Sequence, residues 1–288
     1  MVGTRKEAFT LIELLIVIAI LGVLVGLLVP ALQKAKVQAR QLRGTGNQKS
    51  IVSALHYYAL DHRGRFPPST ATMGPRGSYW NWLEPTTVTT YYEKQPLHAH
   101  RSLSGFLYNY IDDPKVLYCP NVPEEYPYMQ EAWEAGDDWD NPETGRIFDP
   151  LFGSYSFYWG YLGHTSGSTF QGPRTTWRSR GERTLLVSDT FAYDNWRCPD
   201  AFISCEKFRQ GGDVPRAAVS SGYWYCLEND GSTSLNSLKI RLQGGFVDGH
   251  VESYSTAKVT PMQISITSNG SMPNKVYGTF YLPISSLY

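Results

Sequence analysis

A single acidic residue interrupts the most apolar stretch of this sequence. The segment from Phe9 to Val29 carries one charged side chain, that of Glu13. As an α-helix this segment is about 31 Å long at about 1.5 Å per residue, which matches the roughly 30 Å hydrocarbon core of a bilayer. It is therefore predicted to span a membrane. An ionised acid at membrane depth is costly and usually marks a functional position, so Glu13 indicates more than anchoring.

Two features of the flanking sequence favour other interpretations of this segment. Basic residues are more numerous after it than before it, and taken literally the positive-inside rule would put the C-terminal part in the cytoplasm. These basic residues are Arg5 and Lys6 before the segment, and Lys34, Lys36, Arg40 and Arg43 after it. Val29-Pro30-Ala31 resembles a signal-peptidase site, but an ordinary secretory signal has a shorter apolar region, and its removal would leave Glu13 unexplained.

The sequence KEAFTLIELLIVIAILGVLVGLLVPAL resembles the class III signal of type IV prepilins and type II secretion pseudopilins. The resemblance implies that a prepilin peptidase cuts between Ala8 and Phe9 and that Phe9 is then N-methylated. Counted from Phe9, Glu13, Gly22 and Pro30 match the fifth, fourteenth and twenty-second positions of the family pattern. The family usually has Gly before the cut, and Ala8 is a small residue that we expect to be accepted.

The same resemblance implies how the subunits assemble and where they are located. Glu13 would neutralise the new N-terminal ammonium of the next subunit and so set the register between subunits. The stretch Gly22–Pro30 would lose helicity in a filament, and Gly22 and Gly26 form a GxxxG pattern that allows close helix approach or is simply tolerated. The implied partners are the prepilin peptidase, other pseudopilin subunits and the bacterial inner membrane. The N-terminus would lie in the cytoplasm and the C-terminal domain in the periplasm. After assembly the subunit would be part of a surface filament.

Four regions and an α+β fold are predicted. The resemblance implies a leader at 1–8 and a transmembrane and assembly helix at 9–30, and the pattern along the chain predicts an amphipathic continuation at 31–65 and a β-rich globular domain at 66–288. The helix is predicted to run to about His62, to be bent or loosened near Gly44–Gly46, and to end before Gly64 and Pro67-Pro68. It would pack on an antiparallel sheet, as in pilins.

Short aromatic or β-branched runs between turn residues predict six strands in the last region. The candidates are Ser154–Trp159, Thr184–Ser188, Gly222–Leu227, Gly245–Val247, His250–Tyr254 and Val276–Leu282. Residues 120–150 are acidic and rich in Pro and Trp, which predicts a long surface loop.

A second resemblance extends over much of the chain. The strings NQKSIVSALHYYALDHRGRFPP, VLYCPN, GSYSFYWGY, RTLLVSDT and GGFVDGHVESY occur in the order found in pseudopilin-like proteins with a C-terminal DGH signature. That signature normally has a His ten residues before its Asp, where this chain has Leu238. Any role of that His is therefore not carried over to this chain.

Charge and cysteine content limit the classes of partner and cofactor. With 26 basic and 26 acidic residues the net charge is zero, so no global basic field favours nucleic acid. The four cysteines form no CxxC pair, which disfavours a zinc knuckle. Outside the cytosol they could form two disulfides with three possible pairings, or they could remain buried thiols.

Two metal sites are weighed against simpler interpretations. Asp248-Gly249 between strand residues predicts a type I′ hairpin turn, and the functional alternative is a metal site formed by Asp189, Asp248 and His250. Acidic residues surround Gly136 without EF-hand spacing, so a solvated loop is favoured over calcium. Those residues are Glu134, Asp137, Asp138, Asp140 and Glu143.

No enzymatic motif is present in the sequence. GxSxG and HExxH are both absent, so no motif supports an anchored hydrolase. The resemblance implies a non-enzymatic structural subunit. The alternative function is a membrane-anchored surface protein that binds polysaccharide through exposed aromatic rings. The candidate rings are those of Trp80, Trp82, Trp133, Trp139 and Trp177, although such rings are more often core or interface residues.

Overall fold

A computed structural model describes most of the chain. The described residues are 10–73, 80–81, 84–90, 101–122, 128–139, 151–165, 168–177, 184–195, 198–208, 214–217, 223–228, 231, 233–238, 240–265 and 276–287. The chain divides into two compact units, Met1–Arg43 and Gly44–Tyr288. Helix α1 spans Leu11–Asp61 and so contributes to both units.

The described part of the first unit is helical, and it is apolar up to Val29 except for Glu13. Its large hydrophobic side chains are exposed from Leu11 onward. The helix is long and apolar enough to cross a membrane, with a mean hydropathy of 3.1 over the most apolar window. These properties agree with the predicted spanning segment.

Helix α1 continues without interruption through Gly44 and Gly46, where the sequence predicted a bend or a loosening. It ends at Asp61, in agreement with the predicted end near His62. Gly64 follows with φ +73°, and its N–H donates to the carbonyl of Ala59 over 2.7 Å. A glycine in the left-handed region after the last turn is a common helix stop.

Among its described residues, the second unit contains the sheets and two short α-helices. Its α-helices beyond α1 are α2 (Leu103–Leu107) and α3 (Met129–Ala135). The strands are β1 (Thr72–Met73), β2 (Trp80–Asn81), β3 (Thr87–Thr90), β4 (Arg101–Ser102), β5 (Leu151–Phe152), β6 (Tyr155–Phe157), β7 (Leu162–Thr165), β8 (Ser168–Gln171), β9 (Leu185–Asp189), β10 (Phe191–Asn195), β11 (Cys198–Ser204), β12 (Val214–Ala217), β13 (Tyr223–Glu228), β14 (Arg241–Phe246), β15 (Val251–Ser255), β16 (Val259–Ser265) and β17 (Val276–Pro283).

The strands form two main antiparallel sheets. The larger has the order β12-β13-β11-β10-β17-β16-β7-β8, and the smaller has the order β15-β14-β9-β6. A three-stranded sheet, β4-β3-β5, and the pair β1-β2 complete the described strands. The predicted α+β fold, a long helix followed by an antiparallel sheet domain, is confirmed.

The part of α1 after Gly44 packs on the four-stranded sheet. Ile51, Val52 and Leu55 are fully buried or nearly so, and they share a core cluster with Leu186 and Val187 of β9. These helix residues recur at a spacing of three and four, which places them on one face. The two halves of this helix therefore differ in environment, the first exposed and apolar, the second partly buried in a protein core.

Two further core clusters lie among the strands. One combines Leu185 and Phe246 of the four-stranded sheet with Ile203, Met262 and Phe280 of the eight-stranded sheet, so the two sheets share a core. The other holds Leu238, which occupies the position of the expected signature His and is fully buried among apolar residues.

The six predicted strands are found, with shifts at their ends, but the sequence missed many others. The missed strands include two-residue strands and strands that contain proline, such as β11 and β12, where propensity is low. The prediction of a surface loop over residues 120–150 is wrong for its described central part. There α3 is followed by a 3-10 turn, Gly136–Asp138, and the side chains of Met129, Ala132, Trp133 and Trp139 are buried.

Candidate functional site

Thr10 and Glu13 form reciprocal hydrogen bonds across the first turn of helix α1. The carboxylate oxygen Oε2 of Glu13 accepts from the backbone N–H of Thr10 over 2.8 Å and from its hydroxyl over 2.7 Å. In return the Glu13 N–H donates to Thr10 Oγ1 over 3.3 Å. This is a capping box, in which a Thr and a Glu three residues later satisfy free N–H groups at the helix start. Sequence reasoning missed it, although the Thr-x-x-Glu spacing was visible.

The other predicted assembly residues lie on the same helix. Gly22 and Gly26 have open space where a Cβ would stand. Pro30 lies inside the helix and has no N–H to donate to the Gly26 carbonyl. This stretch is helical in the single chain, so its loss of helicity in a filament stays a prediction. Ala8 and Phe9 lie outside the described residues, which begin at Thr10.

The Asp248-Gly249 sequence forms the predicted hairpin, but with a different turn. Strands β14 and β15 pair with Gly245 opposite Val251, and the Phe246 N–H donates to the His250 carbonyl. Gly249 has φ +88°, whereas Asp248 is not among the positive-φ residues. A type I′ turn needs positive φ at both positions, so that prediction is wrong. A three-residue loop ending in a left-handed glycine fits these values.

This hairpin is docked on the buried half of α1. His56 Nε2 lies 2.7 Å from the Val247 carbonyl oxygen, and Lys49 Nζ donates to the carbonyl of Gly249. A Cβ added at Gly245 would stand 2.7 Å from Val52 Cγ2. The hairpin that contains Asp248, Gly249 and His250 therefore has a structural role. Its glycines and backbone carbonyls allow helix α1 to approach the sheet closely.

A cluster of ligand-type side chains lies where α1, β9 and β11 meet. Cys119, Asp189 and Cys205 each present one ligand atom, and these atoms lie within 4.8 Å of one another. All three side chains are buried. We call this trio the buried cluster. Its members are far apart in sequence, and only Asp189 had been singled out as a candidate ligand.

The carboxylate of Asp189 is held by neutral donors. Gln48 Nε2 donates to Oδ1 over 3.0 Å, and the Gln243 N–H donates to Oδ2 over 2.8 Å. Burial raises the pKa of the Asp189 carboxyl, and the hydrogen bonds from Gln243, Cys205 and Gln48 oppose that rise. Burial likewise raises the pKa of the Cys119 and Cys205 thiols.

Hydrogen bonds from the surrounding elements fix the position of Cys119. Its N–H donates to Ser154 Oγ over 2.5 Å, and Asn47 Nδ2 of α1 donates to the carbonyl of Tyr118 over 2.8 Å. Cys205 directly follows β11, and its N–H donates to the Thr190 carbonyl. Both thiols are free, whereas Cys198 and Cys226 form a disulfide. The sequence had left these pairings open.

The structure does not bring together the trio Asp189, Asp248 and His250. Asp248 and His250 contact each other in the exposed turn, where Asp248 Oδ1 accepts from the His250 N–H. Asp189 lies beside Gln243, and at about 3.3 Å per residue the turn is more than about 10 Å further along β14. Asp189 lies instead with the two thiols.

The remaining candidates are spread over different environments. Of the acidic residues weighed for calcium, Glu134 and Asp138 are exposed, while Asp140 and Glu143 lie outside the described residues. Among the proposed stacking rings, Trp177 is exposed. Trp133 and Trp139 are core residues, and nothing is described of the side chains of Trp80 and Trp82. Both core tryptophans are thus unavailable to a sugar-binding surface.

Comparison with known proteins places the N-terminal segment in a recognised class. Residues 3–29 match the family described as the prokaryotic N-terminal methylation motif. No solved structure matches the chain.

Curated relatives match over a somewhat longer stretch. Type II secretion system core protein G of Pectobacterium carotovorum is 43% identical over 65 residues, which are 23% of this chain and 41% of that protein. The protein of the same name from Pseudomonas aeruginosa is 40% identical over 58 residues, 20% of this chain and 41% of the relative. That from Dickeya chrysanthemi is 37% identical over 70 residues, 24% of this chain and 45% of the relative.

These matches cover less than half the length of the relatives, and the DGH-type signature stays a prediction from the sequence. The apolar helix, its single acid and the matched motif nevertheless all lie in the same N-terminal segment, and all are typical of the methylation motif. This chain carries the prokaryotic N-terminal methylation motif of prepilins and is homologous, over about a quarter of its length, to type II secretion system core protein G.

Proposed function

We propose that this chain is a pseudopilin, a structural subunit of a type II secretion or type IV pilus-like assembly. The observation that carries the proposal is the methylation motif at residues 3–29, which overlaps a helix whose large hydrophobic side chains are exposed from Leu11 to Val29. Homology to core protein G of three bacteria supports the same class. The subunit acts by being assembled and has no catalytic role.

Processing is the first step of this function. The prepilin peptidase removes residues 1–8 by cutting between Ala8 and Phe9, and it N-methylates the new terminus. Before assembly the helix anchors the subunit in the bacterial inner membrane, with the N-terminus in the cytoplasm and the second unit in the periplasm. The disulfide between Cys198 and Cys226 supports an oxidising compartment for that unit.

The exposed apolar helix supports assembly with other pseudopilin subunits. An apolar helix surface remains stable in lipid or against equivalent helices, but not in water. Glu13 lies one helical turn from Phe9, so its carboxylate can neutralise the ammonium of a neighbouring subunit. Gly22, Gly26 and Pro30 offer close approach and a weak point in the helix. We propose these three as packing positions in the assembly.

Co-expression with a prepilin peptidase tests the proposal. Intact-mass spectrometry of the membrane-extracted chain should show the loss of residues 1–8 and the gain of one methyl group on Phe9. The matched control is the same chain expressed without the peptidase, which should keep its full mass. A mature N-terminus at another residue, such as one created after Ala31, would contradict the proposal.

The alternative of a polysaccharide-binding surface protein has little support. It required a platform of exposed rings, and two of the five candidates, Trp133 and Trp139, are buried in the main core cluster.

A further inference from the structure

The buried cluster combines three side chains that can each provide a ligand atom to a metal ion. Two thiols and a carboxylate, from Cys119, Cys205 and Asp189, have ligand atoms within 4.8 Å of one another, and all three side chains are buried. The donors to Asp189 are an amide, a backbone N–H and a thiol, all of them neutral. No cationic side chain therefore balances the carboxylate among its contacts in the described structure.

A fourth potential ligand atom belongs to Gln48, whose side chain contacts Asp189 of the cluster. The Gln48 side chain is fully buried, and its Nε2 donates to Asp189 Oδ1 over 3.0 Å and to the Gln243 carbonyl over 3.3 Å. Because both partners are acceptors, the amide group that faces them must be the NH₂ group. The amide oxygen, Oε1, is buried and has no hydrogen-bond partner within the described residues. An unpaired buried polar atom costs about 1–3 kcal/mol, so such an atom calls for an explanation.

We propose that Cys119, Asp189 and Cys205 bind a thiophilic divalent cation of the Zn²⁺ class, with the Gln48 amide oxygen as the fourth ligand. This site is independent of the assembly role of the N-terminal segment. It also differs from the trio Asp189, Asp248 and His250 that the sequence suggested.

The ligand set fits such a cation in number and kind. Structural zinc sites are four-coordinate and prefer thiolates, with Zn–S about 2.3 Å and Zn–O about 2.0–2.2 Å. Tetrahedral geometry at these bond lengths places ligand atoms about 3.5–3.8 Å apart, and the ligand atoms of Cys119, Asp189 and Cys205 lie within 4.8 Å of one another. On binding, each thiol releases its proton to solvent, and the two thiolates and the carboxylate bind the cation directly. Calcium and magnesium prefer oxygen ligands and are not expected here.

The ligands come from four separate parts of the fold. Gln48 lies on α1, Cys119 follows a 3-10 turn (Pro114–Leu117), Asp189 ends β9 and Cys205 follows β11. A cation bound to all four would cross-link the buried half of the helix to both main sheets. Such an ion acts as a structural clamp, and its binding free energy adds to folding stability.

Cobalt substitution tests the site on the full chain in detergent. The protein is treated with a chelator and a phosphine reductant, transferred to anaerobic buffer and titrated with Co²⁺. We expect one equivalent to produce thiolate-to-cobalt charge-transfer absorption and the visible bands of a tetrahedral site, and one equivalent of Zn²⁺ to abolish both. The thermal unfolding midpoint should rise with Zn²⁺.

Three variants locate the ligands. Cys119→Ser, Cys205→Ser and Asp189→Asn should each weaken Co²⁺ binding by at least about tenfold, since even outer-shell changes reduce metal affinity 10–100-fold. Asp248→Asn is the matched control, because this exposed carboxylate belongs to the other candidate trio and its loss should leave the titration unchanged. Near-UV circular dichroism of each variant reports whether it has folded.

Cysteine alkylation of the wild-type chain tests the site without any variant, so its result does not depend on whether the variants fold. Alkylation in denaturant and chelator, without reductant, should label Cys119 and Cys205 and leave Cys198 and Cys226 as a disulfide. Added Zn²⁺ should slow labelling of the first pair in the native chain. The proposal is overturned by a Cys119–Cys205 disulfide in the isolated protein, by the absence of a charge-transfer band in the reduced wild type, or by a titration that depends on Asp248 instead.

Discussion

The side-chain amide of Gln48 donates to Asp189 Oδ1 over 3.0 Å, and through this bond helix α1 is joined to the end of β9 inside the core. The same nitrogen donates to the Gln243 carbonyl on β14, so one residue of the helix contacts two neighbouring strands. Both acceptors are buried. This contact positions the helix on the sheet more specifically than apolar packing alone can.

Replacing Gln48 by Leu should therefore destabilise the second unit. The change leaves an oxygen of Asp189 and the Gln243 carbonyl short of a donor, and each such loss costs about 1–3 kcal/mol. Urea unfolding of the full chain, in detergent and with a chelator present, measures the effect without any contribution from metal. Gln130→Leu on the exposed face of α3 is the control, and we expect it to change stability by no more than about 0.5 kcal/mol. Equal effects of the two variants would contradict the argument.

The close approach of α1 to the DGH hairpin gives a second prediction. A methyl group at Gly245 would stand 2.7 Å from Val52 Cγ2 and 3.1 Å from Val187 Cγ1. Gly245→Ala should overpack this contact and destabilise the fold by about 1–3 kcal/mol, as measured by urea unfolding. Gly46→Ala, at a helical glycine with open space around it, should instead stabilise by up to about 1 kcal/mol.

A double variant tests whether the methyl group introduced by Gly245→Ala overlaps the side chain of Val52. Val52→Ala alone leaves a cavity, but combined with Gly245→Ala it should recover part of the lost stability, because the new methyl group occupies the vacated space. The unfolding midpoints of the two single variants and the double variant give the interaction free energy. Additive losses would show that the two positions do not meet.

The fold was predictable where the pattern in the sequence was local. The apolar helix, its end near Gly64 and the hairpin at Asp248-Gly249 each depend on neighbouring residues, and each was predicted. The turn type was missed because Asp-Gly suits both a two-residue loop and a three-residue loop that ends in glycine. The sequence predicts a surface loop around Trp133 and Trp139 because residues 120–150 are acidic and rich in Pro and Trp, whereas the structure buries both rings.

The buried cluster was beyond sequence reasoning for a different reason. Cys119, Asp189 and Cys205 lie in separate segments, and only the folded chain brings the ends of β9 and β11 together. Spacing in the sequence carries no signal of this kind. Pairing of Cys198 with Cys226 likewise depends on β11 and β13 being neighbours, as the sheet order shows.

The division of the chain predicts that a truncated form folds alone. A chain that begins at Ala31 lacks the most apolar part of the helix but keeps Gln48, Ile51, Val52 and Leu55, so it should be a monomer with a cooperative unfolding transition. Size-exclusion chromatography with light scattering and urea unfolding measure both properties. A chain that begins at Ala54 loses Gln48, Ile51 and Val52 and should aggregate or fail to fold. Cooperative folding of the shorter chain would show that the first part of the buried half of α1 is dispensable to the core.

Variants of Thr10 and Glu13 distinguish two roles of the acid in the apolar helix, namely capping the helix start and pairing with a neighbouring subunit. Glu13→Gln removes the charge but keeps an oxygen that can accept from the Thr10 N–H, as capping boxes with Gln do. Thr10→Ala removes the capping hydroxyl, worth about 1 kcal/mol, but keeps the charge. If the carboxylate pairs with the N-terminal ammonium of a neighbouring subunit, only Glu13→Gln should reduce assembly. The stranded ammonium would then cost on the order of 3–5 kcal/mol.

Crosslinking in membranes that contain the prepilin peptidase tests the proposed subunit role most directly. Wild-type, Thr10→Ala and Glu13→Gln chains are compared at equal membrane insertion, with Phe9 methylation followed by mass spectrometry. Since about 1.4 kcal/mol is a tenfold change in an equilibrium, even half the expected loss should reduce the crosslinked Glu13→Gln species more than tenfold. Thr10→Ala should crosslink close to the wild-type level. Equal yields for wild type and Glu13→Gln, or an equal loss in both variants, would contradict the proposal that Glu13 sets the register between subunits.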